Sequence, residues 1–314
     1  MLQVSPLFSP NEFGVSVAVP NDVAALQQWF QTAPGELASL VQRHGVVRLR
    51  GLDSLNDHAF SQLATAFSIA PGDYMYRSTP RSLVAPRVMT ATEYPASEPI
   101  LLHNENAYQT LWPSRLLFGC VQAPSTGGQT TVADMRAVTD AIPTEIVQAF
   151  EQRGVWYVRH YHDGFDLDWR TVFQCDDRAG VEAFCRANNI TFEWLASGVL
   201  RTGSRAQGTH KDPDWARTLW FNQAHLFHVS ALGDDLAEDL LDVFGDALPR
   251  DAKFGDGGEI PKHYLDCVRN AYAEQERCFD WQVGDLLVVD NVKAAHGRRP
   301  FEGGRRVLVS MDFS

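Results

Sequence analysis

Two spacings of apolar residues divide the chain into elements. In "VAALQQWFQT", "GELASLVQRH" and "LNDHAFSQLATAFSI" they recur every three to four positions, which predicts amphipathic helices. Asn21 or Asp22 is placed to cap the first of these. In "GVVRLRG", apolar Val46, Val47 and Leu49 sit against Arg48 and Arg50, a strand pattern. "RLLFGCVQA", "GVWYVRHY", "GDLLVVDN" and "RRVLVSMDF" also read as strands, "GGQTTVAD" as a turn into a short strand, and "DMRAVTDAI" as a capped helix. From about Tyr74 to Pro113 the chain reads as loop, broken by Pro80, Pro86, Pro95 and Pro99. Residues 163–262 are mixed, with helical signals at "RAGVEAFCRA" and "DLAEDLLDVF", before a long helix that Pro261 opens.

Short strands early, in the middle and at the end, with helices outside them, predict a mainly β chain: a sandwich core carrying helical insertions. The terminal strands share that core, so residues 1–314 are expected to form one domain. The 163–262 region is the expected insertion or lid, since long insertions often carry binding function.

Composition removes several alternatives. With 314 residues, 45% of them hydrophobic, a large core is available. The net charge of -12 argues against nonspecific nucleic-acid binding, which runs on Lys and Arg. The five cysteines include no Cys-x-x-Cys pair and suggest reduced thiols in a cytoplasmic protein. The opening "MLQVSPLFSP" has no signal-peptide pattern, and no apolar run is long enough for a membrane span.

The candidate chemistry lies in "LLHNENAYQT" and, far downstream, in "VVDNVKAAHGRRPFEGGRR". His103 and Glu105 are two apart, so on extended chain their side chains point the same way. His296 follows an apolar strand and could supply a third ligand. Two imidazoles and one carboxylate on one face are the facial donor set of a non-heme iron(II) site, which leaves the opposite face open. A His-x-Glu pair alone is weak, because a chain with ten histidines contains such pairs by chance. The pairs His160/His162 and His225/His228 read better as ordinary core or surface histidines, and the run around "HLFH" reads as strand.

Four separated motifs strengthen the case by agreeing in order: "HNENAY", "GGQTTVAD", "WFNQAHLFH" and "VVDNVKAAHGRRPFEGGRR". Over roughly residues 40–312 the chain resembles the taurine dioxygenase-like (TauD/TfdA) iron(II)/2-oxoglutarate oxygenases. It is most similar to the branch of the syringomycin aspartyl hydroxylase, to which "STPRS" and "TATEYP" also conform. The resemblance implies a double-stranded β-helix (jelly-roll) core that uses iron(II), 2-oxoglutarate and O2. It implies that His103, Glu105 and His296 are the iron ligands and that Thr130 hydrogen-bonds 2-oxoglutarate. Arg306 matches the arginine gripping the distal carboxylate of 2-oxoglutarate, with Arg305 the adjacent alternative. The two should point to opposite faces of the strand, and Arg306 is expected to face inward.

The resemblance also implies a reaction and a substrate class. Related halogenases have a small residue where this chain has Glu105, so hydroxylation is expected and halogenation is not. The branch acts mostly on amino acids or aminoacyl groups in specialised metabolism, some tethered to carrier proteins. Arg81, Asn104 and Arg298 are the candidate substrate contacts. Arg81, Arg298 and the neighbouring Arg299 could meet a substrate carboxylate or a carrier phosphate, or be solvated. Desaturation or cyclisation at the same iron, and a catalytically silent jelly-roll that binds a partner, are the alternatives.

Overall fold

The computed structural model describes residues 3–9, 13–67, 76, 78–196 and 198–313. Two β-sheets carry the site. The larger has eight strands in the order Gln3–Pro6, Val15–Ala18, Val46–Arg50, Leu286–Asp290, Arg115–Gln122, Arg306–Asp312, Val88–Thr90 and Leu83–Ala85. The smaller has four: Arg277–Phe279, Thr130–Asp134, Ala294–Arg298 and Ile100–His103. Strands from both ends of the chain therefore share one sheet, as the pattern predicted.

The central strands of the large sheet are apolar on both faces, because both are covered. Leu116, Phe118, Leu287, Val289, Val307 and Val309 form one core cluster with Val132, Phe279 and Ala294 of the small sheet. Their neighbours Leu117, Leu286, Val288 and Leu308 pack with residues of the helices Val23–Thr32, Pro34–His44 and Asp57–Phe67. Asp22 caps the first of these helices, accepting from the backbone N–H of Ala24 and Ala25. Gly119 lets the third helix approach, since a Cβ there would come within 2.4 Å of Phe60.

An insertion follows. Its four-stranded sheet runs in the order Thr191–Trp194, Leu200–Ala206, Val155–Tyr161 and Arg250–Phe254. It begins at Val155, earlier than the expected boundary near residue 163. Two further expectations change. The stretch from 74 to 113 is expected to be loop, but it contains the short paired strands Leu83–Ala85 and Val88–Thr90, and Ile100–His103 besides; Tyr74, Met75 and Arg77 lie outside the described residues. "HLFH" was read as strand; residues Ala224–Phe227 form one helical turn. The expected helix at "LNDHAFSQLATAFSI" is present over Asp57–Phe67, and Ser68 and Ile69 lie outside the described residues.

Candidate active site

The strands Ile100–His103 and Ala294–Arg298 pair antiparallel with His103 opposite His296, and the two imidazole rings lie 4.5 Å apart between centroids. Gly297 makes this possible: a Cβ there would meet the carbonyl oxygen of Ile100 at 2.5 Å. Beyond His103 the chain leaves the strand, and Glu105 turns back toward the histidines. One donor atom from each of His103, Glu105 and His296 lies within 4.8 Å of the others. The sequence-predicted triad therefore comes together.

Its electrostatics suit a divalent metal. Burial lowers the pKa of His103, and burial with the neighbouring His103 takes His296 well below the ordinary histidine value. Both rings are neutral at physiological pH, the form that ligates. His103 Nδ1 donates to the carbonyl of Leu101 at 2.8 Å, which leaves Nε2 as the free donor. His296 Nε2 faces Glu105 at 3.7 Å. Arg81 donates to Glu105 Oε2 at 2.7 Å, and both side chains are buried. Two neutral imidazoles and one carboxylate fit iron(II).

The loop carrying Glu105 is held from beneath by Asn291, which pattern reading did not single out, and by Asn104. Asn291 Oδ1 accepts from the Glu105 N–H at 2.7 Å, while its Nδ2 donates to the carbonyls of Glu105 and Pro113 at 2.9 and 2.8 Å. Asn104 is completely buried and donates to the carbonyl of Asn291 at 2.7 Å. Asn104 is thus a brace for the loop and not the substrate contact expected of it. Its polarity in a buried position was the available signal, but sequence does not report burial.

An inner pocket opens beside the histidines, lined by His103, His296, Phe118, Thr130, Arg298 and Arg305 among others. Thr130 Oγ1 accepts from the Trp281 indole N–H at 2.8 Å, which leaves the hydroxyl proton to donate. Arg305 donates from Nε to the carbonyl of Gly128 at 3.1 Å, its only hydrogen-bond partner among the described residues. Burial and nearby Arg298 pull its pKa down to about 10. It remains a cation at neutral pH in a largely desolvated place, with no carboxylate paired to it among the described residues, which calls for an anionic ligand.

Arg306 was the expected occupant of this pocket, and the structure reverses that choice. Its guanidinium forms an ion pair with Asp57 at 2.7 Å, half-exposed on the helix-covered face of the sheet. Arg305 shares its side of the strand with Val307, Val309 and Met311, which face the core between the sheets. Arg298 is also reassigned. It is buried and donates to the carbonyls of Pro95 and Glu98 at 2.7 and 2.6 Å, so it ties down the 94–98 loop. Arg299 is on the surface, paired with Glu276. Arg81 reaches the Glu105 carboxylate itself, the candidate metal ligand.

An outer cleft of about 380 Å³ is lined by His103 and Glu105 and shares Thr92, Ile100 and His103 with the inner pocket. Leu226 and Phe227 form an apolar wall, and Ser78, Thr79, Gln223 and Arg250 are among its polar lining. The other histidine pairs stay away from the metal donors. His160 and His162 bond to the carbonyls of Leu248 and Ala247. His225 supports the strand of the first ligand from behind, its Nε2 3.2 Å from the Leu102 carbonyl.

Comparison with known proteins agrees with this site. Residues 5–311 match the family model described as "Taurine catabolism dioxygenase TauD, TfdA family". The dapdiamide synthesis protein DdaC of Enterobacter agglomerans is 38% identical over 98% of this chain and 93% of its own length. A clavaminate synthase-like protein of Arabidopsis thaliana is 30% identical over 94% and 91% respectively. Among solved structures, PvcB of Pseudomonas aeruginosa aligns with a TM-score of 0.56 at 16% identity, covering 99% of this chain and 90% of that one. AAD-2, solved with Mn(II) and N-oxalylglycine, aligns with a TM-score of 0.56 at 15% identity, covering 99% and 97%. This chain belongs to the TauD/TfdA family of dioxygenases. It is an iron(II)/2-oxoglutarate-dependent oxygenase.

Proposed function

We propose that this oxygenase hydroxylates an unactivated carbon of an amino acid or aminoacyl substrate in specialised-metabolite biosynthesis. The observation that carries this reading is the division of the site at His103. An inner pocket carrying the Arg305 cation, which has no paired carboxylate among the described residues, and a cleft of about 380 Å³ are both lined by His103. The name of DdaC, a protein of dapdiamide synthesis, supports the metabolic setting. The substrate is free or held on a carrier protein. The two facing sheets form the jelly-roll core of one cytoplasmic oxygenase domain, with residues 155–254 as its lid.

His103, Glu105 and His296 hold the iron. Bound there, iron(II) supplies the redox chemistry that couples oxidative decarboxylation of 2-oxoglutarate to oxygen insertion: substrate C–H, 2-oxoglutarate and O2 give substrate C–OH, succinate and CO2. The remaining work belongs to the chain. Arg305 takes the distal carboxylate of 2-oxoglutarate and Thr130 donates a hydrogen bond to it. Arg81 and Asn291 keep Glu105 aimed between the histidines. Leu226 and Phe227 shield the reacting carbon from water. Glu105 occupies the coordination position a halide would need, so the product is hydroxylated.

The test is an aerobic screen of amino acids, free and carrier-bound, with iron(II) and 2-oxoglutarate, read by mass spectrometry. A gain of one oxygen with matching succinate is expected. A product lacking two hydrogens would replace hydroxylation by desaturation or cyclisation, and a chlorinated product would refute the assignment of Glu105.

A further inference from the structure

Arg250 lines the outer cleft and carries no motif that marks it in the sequence. It lies at the start of the insertion-sheet strand Arg250–Phe254 and lines the cleft together with His103 and Glu105. Two of its nitrogens are committed. Nε and Nη2 clamp the Asp166 carboxylate, and Nη2 also donates to the carbonyl of Ser78 at 2.6 Å. Among the described residues nothing accepts from Nη1. The side chain is 28% exposed and lines the cleft. Asp166 does not serve Arg250 alone, because Arg159 Nη2 also approaches its Oδ2, at 3.5 Å. The Arg250 guanidinium lies 5.4 Å from the centre of the Phe227 ring, which fixes its plane against the apolar wall.

This geometry resembles a prepared anion receptor. The side chain is already immobilised by Asp166, Ser78 and Phe227, so a ligand need not order it. We propose that Arg250 anchors a carboxylate of the substrate through Nη1, with the rest of the molecule lying along Leu226 and Phe227 toward His103 and Glu105. The substrates are therefore carboxylic acids whose oxidised carbon lies away from that carboxylate. This rests on the reading of the cleft as the substrate site.

Arg250 also ties the insertion to the metal site. It holds the carbonyl of Ser78, and three residues later Arg81 holds Glu105. A carboxylate arriving at Arg250 thus lands on the chain segment that positions a metal ligand.

The test uses the iron(II) protein under anaerobic conditions with saturating 2-oxoglutarate. Free amino acids, non-amino carboxylic acids and the methyl esters of both are titrated by calorimetry against wild type, Arg250→Met and Arg250→Lys. Acids should bind wild type tighter than their esters by roughly tenfold to a hundredfold, the value of one charge-assisted hydrogen bond. Arg250→Met should abolish that preference, and Arg250→Lys should restore part of it. The 2-oxoglutarate charge-transfer absorption should titrate normally in both variants, which shows that they are folded. Esters binding as tightly as acids, acids of neither class binding, or a preference that survives in Arg250→Met would overturn the anchor. If amino-acid esters bind as tightly as the free amino acids, the amino-acid reading stands without Arg250. If only non-amino acids bind, and need Arg250, the anchor stands and the amino-acid reading falls.

Discussion

The side-chain amide of Asn291 grips the backbone of Glu105 at both ends, accepting from its N–H at 2.7 Å and donating to its C=O at 2.9 Å. Asn291 lies five residues before His296, on the turn that leads into the third ligand's strand. One side chain thus joins the two chain segments that supply the metal donors. Asn104 strengthens the junction by donating to the Asn291 carbonyl.

Replacing Asn291 with Ala removes three buried hydrogen bonds. Each abandoned partner costs about 1–3 kcal/mol. Metal affinity should fall by roughly 10–100-fold, as for other residues that orient a ligand. Asn291→Asp should fare no better, because it keeps the acceptor for the Glu105 N–H and loses the donor for two carbonyls. Calorimetric titration of the metal-free variants with iron(II) or Mn(II), alongside urea unfolding, checks both. Wild-type metal affinity in Asn291→Ala would show that the amide only stabilises the turn.

Ala at His103, Glu105 or His296 should abolish turnover and greatly weaken metal binding, with little loss of fold at the two histidines and a clear loss of stability in Glu105→Ala, which takes the carboxylate from the buried Arg81 guanidinium. All three donors are needed for one facial set, and removing a buried neutral imidazole leaves the sheets intact. Circular dichroism with metal titration separates the two effects. Glu105→Gly should open a coordination position without giving efficient chlorination, since the surrounding pocket is unchanged. Near-normal turnover in any one alanine variant would remove that residue from the ligand set.

What could be read from the sequence follows physical lines. The triad was legible because a two-residue spacing on extended chain decides which side chains share a face, and because separated motifs agreed. The choice between Arg305 and Arg306 was not. Val307, Val309 and Met311 alternate with Arg306, Leu308, Ser310 and Asp312, but both sets are covered, the first between the sheets and Leu308 under the helices, so parity alone does not say which face lines the pocket. Asn104, Asn291 and Arg298 act on backbone carbonyls or N–H groups brought near by folding, and such partners leave no pattern along the chain. Arg250 lies in the insertion, where weak alternation hid the strand that presents it.

His225 gives the metal-free protein an acid-sensitive brace. Burial takes its pKa down to about 3, against an ordinary value of 6.5. The folded chain therefore holds this ring neutral while the unfolded chain protonates it. Stability from this group is complete above pH 6.5 and declines as pH falls from there toward 3, by up to about 1.4 kcal/mol per pH unit. His296 and His103, also lowered, act in the same direction. Thermal melts of metal-free protein from pH 7.5 to 5 should show a falling midpoint. His225→Gln should start lower, having weakened the support of Leu102, and should fall less steeply. Equal slopes in the two proteins would show that His225 does not titrate on unfolding.

Arg305 and Arg306 should behave in opposite ways when truncated. Arg305 is a partly buried cation whose only hydrogen-bond partner among the described residues is a carbonyl, so without 2-oxoglutarate it is a cost to the fold. Arg305→Ala should leave the cosubstrate-free protein as stable as wild type or more so. It should also remove the partner of the distal carboxylate. Breaking such a pair costs roughly 3–5 kcal/mol. At about 1.4 kcal/mol per tenfold, affinity for 2-oxoglutarate should fall by on the order of a hundredfold or more. Lys at 305 keeps the charge without the planar fork and should recover part of it. Arg306→Ala loses only the half-exposed pair with Asp57, worth about 0–1 kcal/mol of stability. Its 2-oxoglutarate affinity should stay at the wild-type value. Anaerobic titration of each iron(II) variant with 2-oxoglutarate, following the charge-transfer absorption, together with melts of the cosubstrate-free proteins, measures both quantities. A larger affinity loss in Arg306→Ala than in Arg305→Ala would return the cosubstrate to Arg306 and contradict the side of the strand on which Arg305 lies.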